Sequence, residues 1–293
     1  MNIIVTGCNG QLGTSFYRNK LIQNINTYFF YGKNDLDIRD YNKLEKIFQK
    51  IKPNILINTA AYTNVGQAEE EVYECNELNV NATKYISYLC VKYNCLMIHF
   101  STDYVFDGKK KSPYNEFDKT YPLSVYGKSK LMGEKQILNS NCSYIILRIS
   151  WLYNINKKNN LINKKYINLK NNNNFTAVTN QISRPTCSDF LSIYIWKIIE
   201  KNINKLFDTK AIFHYSNEGD EISVYDLAMT IKSAYFESTL NSSISPINSD
   251  DLADSKIRPR YSILDNSKLN KMYSIENSDW KILLKNNINK YLL

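Results

Sequence analysis

The chain has 293 residues, 43% of them hydrophobic, which suits one large domain or a large domain with a smaller lobe. No apolar run reaches the ~18 residues of a membrane span, and no basic leader with an apolar stretch opens the chain, so neither a membrane nor a secreted protein is expected. The net charge is +9, but the lysines are spread among asparagine and isoleucine and the densest run, Lys109–Lys111, is short; this disfavours nucleic acid and would suit an anionic small substrate.

The six cysteines form no CxxC pair, and the two histidines, His99 and His214, lack metal-ligand spacing with them. The expectation is a reducing cytoplasm and no metal site. Both histidines sit in apolar runs and read as packed strand residues.

Asn2–Thr6 reads as a buried strand, because Ile3, Ile4 and Val5 run unbroken into glycine. Gly7, Gly10 and Gly13 follow at three-residue spacing and lead into a helix from Gln11 to about Gln23. Glycine permits a tight turn and a close approach of backbone to ligand, and a helix N-terminus presents amide hydrogens to phosphate. The spacing is GxxGxxG, where the commoner dinucleotide-binding turn is GxGxxG. Thr27–Tyr31 reads as a second strand. No acidic residue ends it; Asp35 and Asp37 follow, and Lys33 could meet a 2′-phosphate, so NADH and NADPH both stay open.

Tyr41–Ile51 is amphipathic, with Leu44, Ile47, Phe48 and Ile51 on one side. Ile55–Ile57 is the third strand. It opens into the small residues between Asn58 and Thr63, which leave room for a cofactor ring or equally pack a tight turn. A helix is expected from Glu69 to about Tyr93, with Asn79 inside it. Leu96–Phe100 is the fourth strand. It delivers Ser101, Thr102 and Asp103 to its end, where a doubly wound sheet places its ligand; a local backbone cap is the plain alternative for Thr102.

The next helix, to about Asn139, carries Tyr126 and Lys130 four residues apart and hence on one face. An ammonium beside a phenol lowers a pKa that is otherwise ~10, so the pair can serve as an acid/base device. A solvated helix face is the plain alternative in a chain with 23 tyrosines.

Tyr144–Ile149 is the fifth strand. The alternation of strand and helix implies an α/β fold, a doubly wound parallel sheet of Rossmann type, over residues 1–153. The chain is expected to return to it around residues 175–215, and residues 154–293 to form mostly a smaller substrate lobe. Asn154–Asn174 reads as linker or lobe surface. Phe175–Thr179 is a strand, Asp189–Glu200 a helix, Ile212–Tyr215 a strand, and Ser223–Phe236 a helix begun by a serine cap. Ser238–Ser249 reads as polar loop and Leu283–Leu293 as a short helix.

Together these pieces resemble the extended short-chain dehydrogenase/reductases, and within that group the dTDP-4-dehydrorhamnose reductases. The resemblance spans nearly the whole chain. It rests on the glycine turn, Asn58 to Thr63, the string Ser101-Thr102-Asp103-Tyr104-Val105-Phe106-Asp107-Gly108, Tyr126 to Lys130, Gly133-Glu134, Arg148 to Trp151, Arg258-Pro259 and Ser262 to Asp265. Tyr104 stands where related dehydratases carry glutamate. Gly66 replaces a common aspartate, and Ser183-Arg184 replaces a glycine and a small residue, which bears on the sugar more than on the chemistry.

The resemblance implies NADPH or NADH reducing the 4-keto group of a dTDP-linked 6-deoxy sugar, for surface polysaccharide synthesis. The cofactor would lie over Gly7, Gly10, Gln11, Leu12 and Gly13, with Asp37 and Ile38 as further contacts and Ala61, Tyr62, Thr63 and Phe100 on its ring side. Tyr126 would give the proton, Thr102 a hydrogen bond to the same oxygen, and Lys130 would lower the tyrosine pKa and hold the nicotinamide ribose. Asp103 and Trp151 would position the sugar, and Arg184 and Arg258 the diphosphate. A homodimer is compatible with this reading. A non-catalytic regulatory subunit on the same fold is one alternative, disfavoured by the intact Thr102, Tyr126 and Lys130; a sugar-nucleotide epimerase or dehydratase is another.

Overall fold

The structure, a computed structural model, describes residues 1–20, 26–157, 159–206, 208–236, 241–252, 257–274 and 276–291. The first half runs β1 (Asn2–Thr6), α1 (Gln11–Arg18), β2 (Thr27–Tyr31), α2 (Tyr41–Ile51), β3 (Ile55–Asn58), α3 (Val72–Asn76), α4 (Ala82–Lys92), β4 (Leu96–Thr102), α5 (Val125–Leu138) and β5 (Tyr144–Ile149). The second half runs β6 (Leu152–Tyr153), α6 (Leu161–Lys170), β7 (Phe175–Val178), β8 (Ile182–Ser183), β9 (Thr186–Cys187), α7 (Ser188–Leu206), β10 (Lys210–Tyr215), β11 (Ile222–Ser223), α8 (Val224–Tyr235), β12 (Ile244–Ile247), α9 (Ser267–Tyr273) and α10 (Trp280–Tyr291).

Six parallel strands stand in the order β10-β5-β4-β3-β1-β2. Strands buried on both faces need apolar residues at successive positions, and alternate ones point to opposite layers. Ile3 and Val5 join the layer under α1 and α7, with Leu12, Phe16, Leu191 and Trp196. Ile4 joins the layer under α2, α4 and α5, with Leu44, Phe48, Ile86, Leu89 and Ile137. The fold is thus the expected doubly wound α/β sheet. Its strand order reverses between β1 and β3, and a ligand crevice forms outside the carboxyl ends of strands at such a reversal.

The chain comes back to the sheet at Ser188. Ser15 Oγ on α1 lies 2.8 Å from Ser188 Oγ and donates to Asp189 at 2.6 Å. Trp196 meets Phe16 edge-on at 5.3 Å, and β10 then pairs with β5. β7 does not join this sheet; it pairs with β12 in a small sheet of the second core, where Tyr153, Ile162, Tyr166, Leu227, Ile231 and Trp280 are buried. Ser223 caps α8 as expected, accepting from Asp226 N at 3.0 Å.

Three expectations change. The helix expected from Glu69 to Tyr93 is broken into a 3-10 turn, α3, a π turn at Glu77–Asn81 and α4. The stretch expected as linker holds α6, capped by Asn160, whose side chain accepts from Asn163 N at 2.9 Å. Its core residues Ile162, Tyr166 and Leu169 recur at helical spacing, but surrounding asparagine and lysine hide them. The stretch read as polar loop contains β12, while residues 238–240 of it lie outside the described residues, as do the expected end of the first helix beyond residue 20 and the last two residues of the terminal helix.

Candidate active site

The glycine turn closes tightly on the end of β3. Gly7 has φ +69°, and a Cβ there would lie 2.7 Å from Ala60 N. A Cβ on Gly13 would lie 2.2 Å from Gly7 O. α1 therefore begins pressed against the turn, and its N-cap, Gly10, offers no side chain to cover the first amides. Uncovered amides at a helix start favour an anionic group. Leu12 and Gly13 are buried under the turn, while the Gln11 carbonyl and side-chain oxygens accept from Asn154 at 2.9 and 3.0 Å. Asn154, at the head of the lobe, ties the lobe to the turn; it was not visible as a site residue in the sequence.

Asp37 is engaged by Arg39, whose Nε donates at 2.9 Å and which holds the carboxyl below the usual carboxylate range. Ile38 is buried in the core beside it. Ala61 and Tyr62 are half-buried and Thr63 is exposed after β3. Tyr62 is clamped at both backbone groups by Asn79: its N–H donates to Oδ1 at 2.9 Å and its carbonyl accepts from Nδ2 at 3.1 Å. Asn79 also donates to Ser129 Oγ on α5 at 2.9 Å. This explains the π turn, because an extra residue in the turn swings Asn79 inward to serve both partners. The Phe100 ring packs in the core, 5.8 Å from that of Phe16.

α5 approaches the end of β4 closely. Ser124 Oγ caps it, accepting from Gly127 N at 3.0 Å, and a Cβ on Gly127 would lie 2.3 Å from Tyr104 O. That closeness sets Tyr126 beside Thr102, which acts to lower the phenol's pKa against its burial. Thr102 Oγ1 also accepts from Tyr104 N at 3.2 Å and donates to Asp103 Oδ1 at 3.0 Å. Asp103 is buried, which pushes its carboxyl up to about 6 against the hydrogen bonds of Ser262 and Thr102. The Tyr104 ring meets that of Tyr126 at 5.7 Å, and Tyr104 Oη accepts from Arg258 at 3.3 Å.

Lys130 is 2% exposed, and its Nζ lies 3.3 Å from His99 Nε2. Burial lowers its pKa to about 8, opposed by the nearby Glu134. The Tyr126 hydroxyl is shifted upward by burial, opposite to the lowering expected from Lys130; the groups acting on it are Thr102, Asp103, Tyr104 and Cys75. The four-residue spacing does put both side chains on one face, but the amine turns toward the sheet. Below them Glu134 and Arg148 form a buried ion pair at 2.7 Å, and Ser101 Oγ donates to the same carboxylate at 2.5 Å.

The lobe residues divide. Trp151 holds φ +39°, a strained value for a bulky side chain, and packs between two apolar clusters of the lobe. Arg258 lines a cleft of about 580 Å³ with Lys109, Lys110, Lys111, Arg260 and Tyr261. Arg184 lines a different cleft of about 290 Å³ with Glu218, Asp265 and Asn266. The two arginines expected to share one diphosphate thus line separate clefts. Among the described residues no helix is long and apolar enough to cross a membrane, and no group of three or more His, Cys, Asp or Glu residues is placed to hold a metal ion.

Known proteins resemble this chain over most or all of their length. A dTDP-4-dehydrorhamnose reductase of Aggregatibacter actinomycetemcomitans is 35% identical over 97% of each chain. The spore coat polysaccharide biosynthesis protein SpsK of Bacillus subtilis is 31% identical over 89% of this chain and 88% of its own. Among solved structures, a dTDP-4-dehydrorhamnose reductase of Clostridium acetobutylicum superposes with TM-score 0.90 at 30% identity, covering 100% of both chains. One from Bacillus anthracis, in complex with NADP, gives 0.89 at 28% identity over 99% of both. The fold is that of a Rossmann-type oxidoreductase resembling the dTDP-4-dehydrorhamnose reductases. Residues 1–293 match the RmlD substrate binding domain family, and the chain belongs to it, as an NAD(P)-dependent sugar-nucleotide reductase.

Proposed function

We propose that this chain reduces the 4-keto group of a dTDP-linked 6-deoxy sugar, giving dTDP-L-rhamnose or a close relative. The observation that carries this reading is the nearness of Tyr126 to Thr102 at the carboxyl end of β4, with Lys130 one helical turn behind. NADPH or NADH, when bound, would supply the hydride that reduces the ketone carbon. Tyr126 gives its proton to the oxygen as charge builds there, so the ketone becomes a secondary alcohol. Thr102 donates a hydrogen bond to the same oxygen, and a donor already in place stabilises charge at little reorganisation cost.

The chain's own residues fit such a cofactor. The uncovered start of α1, where Gly10 offers no side chain and a Cβ would meet only Gly7 O at 3.2 Å, suits a pyrophosphate. Tyr62, held by Asn79, would border the cofactor's ring side, and Lys130 would hold the nicotinamide ribose. Asp103 and Trp151 orient the sugar. Arg258 and the lysines of its cleft supply cations for the sugar's diphosphate; the placement of Arg184 lends no support to the same role.

The test is incubation with dTDP-linked 4-keto-6-deoxy sugar and each reduced cofactor, followed by product stereochemistry. Stoichiometric cofactor oxidation with a rhamnose-configured product is expected. Tightly held NAD with no net consumption would instead indicate an epimerase or dehydratase, and no reaction with any keto-sugar a binding subunit.

A further inference from the structure

Behind Lys130 a line of polar side chains crosses three strands whose neighbours are apolar. Thr6, Asn58 and His99 occupy matching register positions on β1, β3 and β4. Thr6 Oγ1 lies 2.7 Å from Asn58 Oδ1, Asn58 Nδ2 lies 3.2 Å from His99 Nδ1, and His99 Nε2 lies 3.3 Å from Lys130 Nζ. All four residues are buried. A buried polar group is costly unless paired, and here each is paired by the next.

The protons on this line run one way or the other. A neutral imidazole has one donor and one acceptor nitrogen. When Lys130 is an ammonium it can only donate, so His99 Nε2 is bare, Nδ1 carries the proton, and the Asn58 oxygen must face it. When Lys130 is a neutral amine, Nε2–H donates to it, Nδ1 accepts from the Asn58 amide, and the Asn58 oxygen accepts from Thr6. Turning the Asn58 amide over converts one pattern into the other and keeps each link of the line hydrogen-bonded. The third state, a charged ring, is opposed by burial and by Lys130.

Other groups near the amine are engaged elsewhere. Glu134 on α5 is held by Arg148 and Ser101, and Cys75 on α3 is bonded to Ser129. We propose that His99 is a positioning residue for Lys130: its ring holds the amine in place, and its tautomer reverses with the charge of the lysine, with Asn58 turning between Thr6 and His99. The proposal rests on Lys130 working at the cofactor site, but the line of hydrogen bonds exists whatever is reduced there. Its consequence is a lysine that stays seated in either charge state.

The chain has two histidines, so protein labelled with ¹⁵N-histidine gives two rings, and His99→Gln identifies one. Ligand-free protein is followed by NMR from neutral pH to above the Lys130 pKa of about 8. The His99 ring is expected to pass from the Nδ1–H to the Nε2–H tautomer with its midpoint there, and to hold one tautomer throughout in Lys130→Met. A ring that keeps one tautomer in the natural protein, or that switches equally in Lys130→Met, overturns the proposal. In cofactor titrations, His99→Phe removes the acceptor of the ammonium and shifts the alkaline loss of affinity to lower pH by about one unit, the tenfold effect of one hydrogen bond to a charged group. His99→Gln restores most of that shift; an unmoved alkaline limb in His99→Phe also counts against the proposal. Retained turnover in Tyr126→Phe beside an intact tautomer switch would sink the ketone-reduction reading and leave this one standing.

Discussion

Asp103 Oδ1 takes the one hydroxyl proton of Thr102, at 3.0 Å. The same hydroxyl is the proposed donor to the substrate oxygen, so the two acceptors compete for it. Burial has raised the Asp103 carboxyl to about 6 from its ordinary 3.8. Its folded state binds a proton more readily than the unfolded chain does, so the ionised carboxylate subtracts stability at neutral pH. The deficit is full above about 6, shrinks as pH falls through that window, and is gone below 3.8. Two pH units correspond to ~3 kcal/mol, and a new amide lacking a partner offsets part of that. Asp103→Asn is therefore expected to gain ~1–3 kcal/mol in urea unfolding at neutral pH and to lose the gain near pH 4, while turnover falls at least roughly tenfold. An equal gain at both pH values would contradict the burial argument.

The Tyr126 hydroxyl meets Thr102 and is itself shifted upward by burial. A phenol that holds its proton firmly is suited to give it only where negative charge appears, as on a ketone oxygen receiving hydride. Tyr126→Phe should lower kcat by roughly 10²–10⁴, while the cofactor dissociation constant changes little, because the phosphate turn is untouched. Single-turnover rates and cofactor fluorescence titrations check the two halves separately; comparable losses in both would show that the ring, not its hydroxyl, matters.

The glycine turn separates binding from folding at adjacent positions. A Cβ on Gly10 would meet only Gly7 O, at 3.2 Å, whereas one on Gly13 would strike it at 2.2 Å. Gly10→Val is expected to keep a cooperative thermal transition and lose cofactor binding, since its branches cover the amides at the start of α1. Gly13→Ala should lower Tm by several degrees, the size expected of ~1–3 kcal/mol of overpacking. Normal cofactor binding by folded Gly10→Val would remove the phosphate role of the turn.

What could be read in the sequence follows from how local the cause is. β1, β2 and β5 were legible to the residue because apolar runs bounded by turns have a local cause. The return at Ser188 was legible in outline only, since it depends on Ser15 and Asp189, which are 174 residues apart. The π turn was hidden because Asn79 answers to Tyr62 and Ser129, neither near it in the chain. His99 read correctly as a packed strand residue, but its bond to Lys130 comes from strand register, which no single strand reveals. Tyr126 and Lys130 were legible from their spacing on one helix face and Thr102 from its place at a strand end, their separate roles came from resemblance, and the direction of the lysine amine was beyond what spacing on a helix face could define.

The Glu134–Arg148 pair is the joint between the catalytic helix and the sheet. Its side chains are 1% and 4% exposed, the carboxylate takes both Arg148 Nε at 3.0 Å and Ser101 Oγ, and Arg148 lies over the Phe106 ring at 5.3 Å. Removing one partner leaves the other charge buried and unpaired, at a cost of ~3–5 kcal/mol, whereas replacing both by apolar side chains of similar volume is often near neutral. Glu134→Gln should thus lose ~3 kcal/mol or more in urea unfolding, and the double change Glu134→Met with Arg148→Met should recover most of it. Activity should not recover with it. Ser101, which precedes Thr102 on β4, loses its acceptor in the double variant, and the strand end then depends on α5 packing alone. A double variant with restored stability but kcat lowered about tenfold or more is the expected outcome; full activity there would show that the ion pair serves folding and has no part in holding Tyr126 against Thr102.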